Sequence, residues 1–262
     1  MNLTGARLQR ISALCCCTLL ACTVGAFGLP SSAHATTMTM VDIVVEADGH
    51  TGTWSWVDNV TGPTYSWSLP STIEVVSSTN SSLVLATFDD ITVDLDFDPF
   101  VALGFNVTAG GAPTNFTISS AVVAFAPINN GLAFASAAIT ATETPPFDGA
   151  SVTGAFPGTK AYQAQYNGAS SIFANLVSPV TVVPGGLSNT GTEKFPPGIG
   201  TRSVIPGLTS DIQSQFKFTL SANDQASGTS IFDIIVPEPS SVIMAVFGFA
   251  AFGWCAVRRR RK

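Results

Sequence analysis

ITVDLDF (91–97) and VALGFNVTA (101–109) set the reading of this 262-residue chain. In the first, Val93, Leu95 and Phe97 alternate with Asp94, Asp96 and Asp98. That period of two puts apolar side chains on one face of a strand and carboxylates on the other. Runs of the same kind recur on both sides: MVDIVVEA (40–47), STIEVVS (71–77), SLVLATF (82–88), TNFTISSAVVAFA (114–126), GLAFASAAITATE (131–143), SIFANLV (171–177), FKFTL (216–220) and TSIFDIIV (229–236). Asn-Gly, Gly-Gly, Pro-Gly and Asn-Asp pairs separate them, with hardly any helical heptad pattern between. Many short strands with polar turns and no interleaved helices predict an all-β domain, a single sandwich of jelly-roll-like kind. Segment 184–209, PGGLSNTGTEKFPPGIGTRSVIPGLT, is dense in Gly and Pro and is expected to be a long surface loop.

The chain is 46% hydrophobic and only 11% charged, but the two ends account for part of that imbalance. Arg7 and Arg10 precede an apolar stretch from Ile11 to Leu29, and Ala33-His34-Ala35 offers a small-x-small cleavage site before Thr36. Residues 1–35 therefore read as a secretory signal peptide, with signal peptidase as a processing partner. Leu19-Leu20-Ala21-Cys22 also resembles a lipoprotein cleavage box, in which Cys22 would be lipidated; Leu20 fits that box poorly. Four cysteines lie in this leader and the fifth is Cys255, so the exported body, 36–236, has none. Thiolate metal sites are excluded there, and a body of 201 residues is long enough to bury a core without disulfides. Sixteen acidic residues oppose Lys160, Lys194, Arg202 and Lys217 in the body, a net charge of about −12 with His50 neutral. Such a surface repels nucleic acid and anionic lipid.

Two stretches of the body are candidates for chemistry. TGTWSWV (51–57) and TYSWSL (64–69) read as the strands of a hairpin carrying Trp54 and Trp56 on one and Tyr65 and Trp67 on the other. Exposed, the four rings form a stacking platform for sugars; buried, they are half of a sandwich core. The second stretch is Asp94, Asp96 and Asp98, which either face solvent along an amphipathic strand or share a calcium ion. Its intervening Leu95 and Phe97 and the lack of a glycine argue against an EF-hand loop. No other cofactor is indicated. His50 is the body's only histidine and is read as a loop residue; there is no G-x-S-x-G elbow and no phosphate-cradling glycine motif. The body's four Asn-x-Ser/Thr sequons, at Asn59, Asn80, Asn106 and Asn115, are ordinary in so Thr-rich a chain.

At the other end, Val242–Val257 is free of charge and is about 24 Å long as a helix, against a hydrocarbon core of roughly 30 Å. A transmembrane helix over 241–257 narrows that gap. Arg258, Arg259, Arg260, Arg261 and Lys262 follow it and favour a cytoplasmic end, which leaves the body facing outward. Pro237-Glu238-Pro239, then one hydrophobic helix, then an Arg-rich end together resemble the PEP-CTERM sorting signal, over 237–262. That resemblance implies recognition at Pro237, Glu238 and Pro239 by the membrane enzyme exosortase, transient anchoring in the inner membrane, removal of the tail and release or surface attachment in a bacterium that makes exopolysaccharide. Phe216–Val236, with SANDQASGTS between its strands, also resembles the last hairpin of such proteins. The signal fixes a route and not an activity. The expectation is a non-enzymatic protein of the cell surface or extracellular matrix (a biofilm component). A lectin-like module binding exopolysaccharide is the alternative, and a carboxylate-dependent glycan hydrolase is the third reading.

Overall fold

A computed structural model describes residues 36–168 and 170–236. The signal peptide, the Pro-Glu-Pro motif, the transmembrane helix and the basic tail read from the sequence lie outside these residues. Among the described residues the chain forms seventeen strands, all paired antiparallel, in two sheets, and no helix long and apolar enough to cross a membrane. Sheet A contains β1 (Thr36–Ala47), β2 (His50–Val60), β7 (Thr114–Ser120), β8 (Val123–Asn129), β10 (Ala150–Gly154), β11 (Tyr162–Tyr166), β12 (Ser171–Leu176), β13 (Val180–Val182) and β16 (Leu208–Leu220). Sheet B contains β3 (Thr64–Ser68), β4 (Ile73–Val76), β5 (Val84–Asp96), β6 (Phe100–Ala109), β9 (Leu132–Thr142), β14 (Ser188–Phe195), β15 (Ser203–Val204) and β17 (Gln225–Ile235). The main paths run β12-β11-β16-β7-β1-β2 and β14-β9-β17-β6-β5-β3. The body is the all-β sandwich that the alternation predicts.

Period two decides what is inside. Val93, Leu95, Val101, Leu103, Phe105 and Val107 of β5 and β6 are buried, while Asp94 between them faces out. Their counterparts on sheet A are Ile43, Val45, Phe116, Ile118, Phe216 and Phe218, all essentially inaccessible. Aromatic rings lock the layers together: Phe105 meets Phe216 edge-on at 5.0 Å and stacks on Phe218 at 5.6 Å, and Phe218 stacks on Phe116 at 5.2 Å. On the inner face of β9 the side chains at 133, 135, 137 and 141 are alanines. These small residues let β10, β12 and β13 come within 8 Å of β9, closer than the roughly 10 Å of ordinary sheet stacking.

Several sequence expectations change here. SLVLATF and ITVDLDF are one strand, β5, bent by a bulge between Phe88 and Asp90. TNFTISSAVVAFA divides into β7 and β8. Segment 184–209 is not one long loop: it contains β14, paired with β9 over eight residues, and the short β15. Phe216–Val236 is not a hairpin either. β16 lies in sheet A and β17 in sheet B, so Ser221–Asp224 form an arch across the sandwich. Asp224 is buried there, taking the Thr144 N–H at 3.1 Å and the Ser221 hydroxyl. Those two donors offset the desolvation of its carboxylate.

Candidate functional site

The four aromatics gather as the sequence suggests, but by a different route. β2 pairs with β1 and β3 with β5, so TGTWSWV and TYSWSL are edge strands of opposite sheets and not partners in a hairpin. The eight residues between Trp56 and Tyr65 cross that open edge, and Trp67 then stacks on Trp56 at 5.1 Å and on Trp54 at 6.2 Å. All four rings are half-buried and pack against the core. The ring faces thus meet one another between the sheets, and the seam closes an edge that would otherwise expose core side chains.

A polar chain runs along the seam. Trp56 Nε1 donates to Tyr65 Oη at 3.0 Å, and Tyr65 Oη donates to Asp58 Oδ2 at 2.9 Å. Burial raises the Tyr65 hydroxyl above its ordinary pKa; the Trp56 donor acts against that rise and the Asp58 carboxylate adds to it. Tyr65 therefore stays protonated, which its donation to Asp58 requires. Asp58 Oδ1 also takes the N–H of Asn59 at 2.7 Å, so the carboxylate is fixed at the edge.

The aspartate stretch is divided by the fold. Asp94 and Asp96 belong to β5, but Asp98 lies in the turn to β6, where its N–H donates to Asp96 Oδ1 at 2.9 Å. Asp94 Oδ1 takes the Ser66 hydroxyl at 2.5 Å. Among the described residues no three His, Cys, Asp or Glu side chains are placed to hold a metal ion, and these three aspartates do not form a common ligand set. Asp98 leaves the period-two face because the strand ends at Asp96.

His50 opens β2, and its Nδ1 lies 3.2 Å from Ser77 Oγ and 3.3 Å from Thr79 Oγ1. This hydroxyl–imidazole contact escapes the sequence because 27 residues separate its members. Ser77 is 2% exposed, so its oxygen is closed to a substrate. No carboxylate bonds to the ring among the hydrogen bonds of the described residues.

Two further carboxylates were not legible as special. Glu143 is buried, and its Oε1 accepts the N–H of Gly149 at 2.6 Å and of Gly185 at 3.2 Å, tying two loops together. Both glycines have positive φ, +100° and +79°, which turns their N–H groups toward one oxygen without the strain a Cβ would add. Glu193 pairs with Lys160 at 2.7 Å and accepts the Ser178 N–H and hydroxyl. Burial alone would raise its carboxyl, but these donors and the ammonium bring it down to about 2.

No curated protein matches the chain. A solved structure described as one of carbohydrate-binding modules from the β-sandwich superfamily covers 77% of this chain and 85% of its own length, at 8% identity and a TM-score of 0.19. So slight a likeness transfers neither ligand nor function. The C-terminal match is of another kind, because it falls on the residues singled out by the sequence: residues 236–261 carry the PEP-CTERM protein-sorting motif.

Proposed function

We propose that the body is a non-enzymatic component of the cell surface or extracellular matrix, delivered by an exosortase. In this reading signal peptidase removes residues 1–35 and the sorting tail holds the precursor in the inner membrane, body outward, until exosortase acts. One observation carries it. The sorting motif begins at residue 236, one residue after the last strand of the sandwich ends at Ile235. The tail is thus appended to a body that already closes its own core, as a removable handle would be. Deleting residues 237–262 tests this by fractionation: the variant should leave the membrane fraction and go unprocessed, and unchanged fractionation would contradict the proposal.

A second reading, lectin-like binding at Trp54, Trp56, Tyr65 and Trp67, is favoured by the half-exposed seam with the fixed Asp58 carboxylate beside it. Sugar C–H groups pack on aromatic ring faces left open to solvent and sugar hydroxyls donate to carboxylates in such sites. Titrating tryptophan fluorescence with exopolysaccharide tests it. A saturable shift that Trp56→Ala abolishes supports the reading, and no shift across a broad glycan set removes it.

A further inference from the structure

The outer face of sheet B changes character along its length. At one end the cross-strand row is Thr142, Gln225 and Thr108, a polar row of the kind that faces water. At the other end, where β17 finishes, the outward rows are Phe134–Asp233–Phe100 and Val204–Leu132–Ile235. These phenylalanines are not part of the core: Phe100 alternates with buried Val101, and Phe134 with buried Ala133 and Ala135. Val204 is 53% exposed, Ile235 44%, and Ile231, one row back, 40%. The outer face of sheet A shows the contrast, with Asp42, Ser55, Gln215 and Lys217 at the outward positions.

The charge within this apolar end is cancelled. Asp233, between the two phenylalanines, receives both guanidinium nitrogens of Arg202, at 2.8 and 2.6 Å. A bidentate pair lowers the cost of desolvating either partner alone. Asp94 and Asp96 stand at the β5 side of the face, so an anionic partner is disfavoured.

Where the chain goes next selects the partner. Five residues, Pro237–Ser241, separate Val236 from the uncharged run that begins at Val242, and they span at most about 20 Å. If the run is in the bilayer, the end of β17 is held at the membrane surface. We infer that this end of sheet B's outer face is a lipid-docking face, lying against the zwitterionic headgroup region while the tail holds the precursor. The inference rests on the anchoring step proposed above. Apolar side chains around the neutralised Arg202–Asp233 pair bury into the interfacial zone, Asp96 opposite Phe100 stays among the hydrated headgroups at its margin, and docking sets the orientation in which the sorting motif is presented. After the tail is removed the tether is lost, and a patch this small holds the body only weakly.

The test uses the full-length precursor with its native cysteines changed to serine, reconstituted in phosphatidylcholine vesicles. A polarity-sensitive dye is placed at Ile231→Cys, or at Ser55→Cys on the outer face of sheet A as a control. Both positions are exposed, so labelling leaves the core intact. The dye at 231 should emit to the blue and be quenched by nitroxide-bearing lipid, and the dye at 55 should do neither. Equal, water-like emission at both positions in protein that co-floats with vesicles overturns the docking face and leaves the anchor standing. Protein that does not co-float overturns the anchor, and the docking face with it. A blue shift at 231 that grows with protein concentration and ignores lipid quencher assigns the face to a second copy and also overturns the inference.

Discussion

At the scale of single residues, close approach decides which changes the body tolerates. Gly228 faces inward on β17, and a Cβ there would meet the Phe105 ring at 2.4 Å. Phe105 is itself held by Phe216 and Phe218. Gly228→Val should therefore destabilise the body by about 1–3 kcal/mol through overpacking, read from the midpoint of chemical unfolding. An unchanged midpoint would mean that the aromatic layer yields easily. Glu193 gives a pH signature. Its carboxyl is lowered by folding, to about 2 from an ordinary 4.5, so its contribution is complete above 4.5 and is lost as pH falls toward 2. Glu193→Gln should flatten the acid limb of the stability curve between those values; an identical limb in both proteins would show that the Lys160 contact does not couple to folding.

At the scale of elements, legibility followed periodicity. β5 and β6 were readable because one face is buried and the other wet, so their sequences alternate, and β17 because its second half, IFDII, is a β-prone apolar run. β11 was not: four of its five residues, YQAQ, are buried, because Gln163 and Gln165 are masked by a side-chain amide chain reaching Asn175 and Gln215. β14 was missed for the opposite reason, since as an edge strand it is exposed almost throughout and looks like a loop. The aromatic seam was legible as a set of residues but not as a geometry. Strand spacing tells which side chains share a face and not which sheet each strand joins. Glu143 left no local signal, because its partners are backbone N–H groups 6 and 42 residues away. Glu143→Ala should raise hydrogen exchange at Gly149 and Gly185 by freeing both loops, while β9 and β17 keep their protection. Uniformly faster exchange across the sandwich would instead make Glu143 a global support. At the seam, Trp56→Ala should cost about 3 kcal/mol, the low end for a large aromatic because the ring is half-buried. A loss near zero would mean that the seam does not close the edge.

At the scale of the whole molecule, the chain divides into a body and its sorting tail. The body is cysteine-free and strongly acidic, held by one apolar layer between two sheets. It closes at Ile235, and the sorting motif starts at the next residue. This adjacency lets the tail be lost without exposing the core, whereas a cut upstream of β17 would remove a strand paired on both sides. Intact mass of the protein recovered from the cell surface or medium separates a removable tail from a permanent anchor. A removable tail gives a single species that begins at Thr36 and ends within the residues around Val236–Pro239, lacking the apolar run and the arginines. A surface species whose mass still includes residues 242–262 would contradict it.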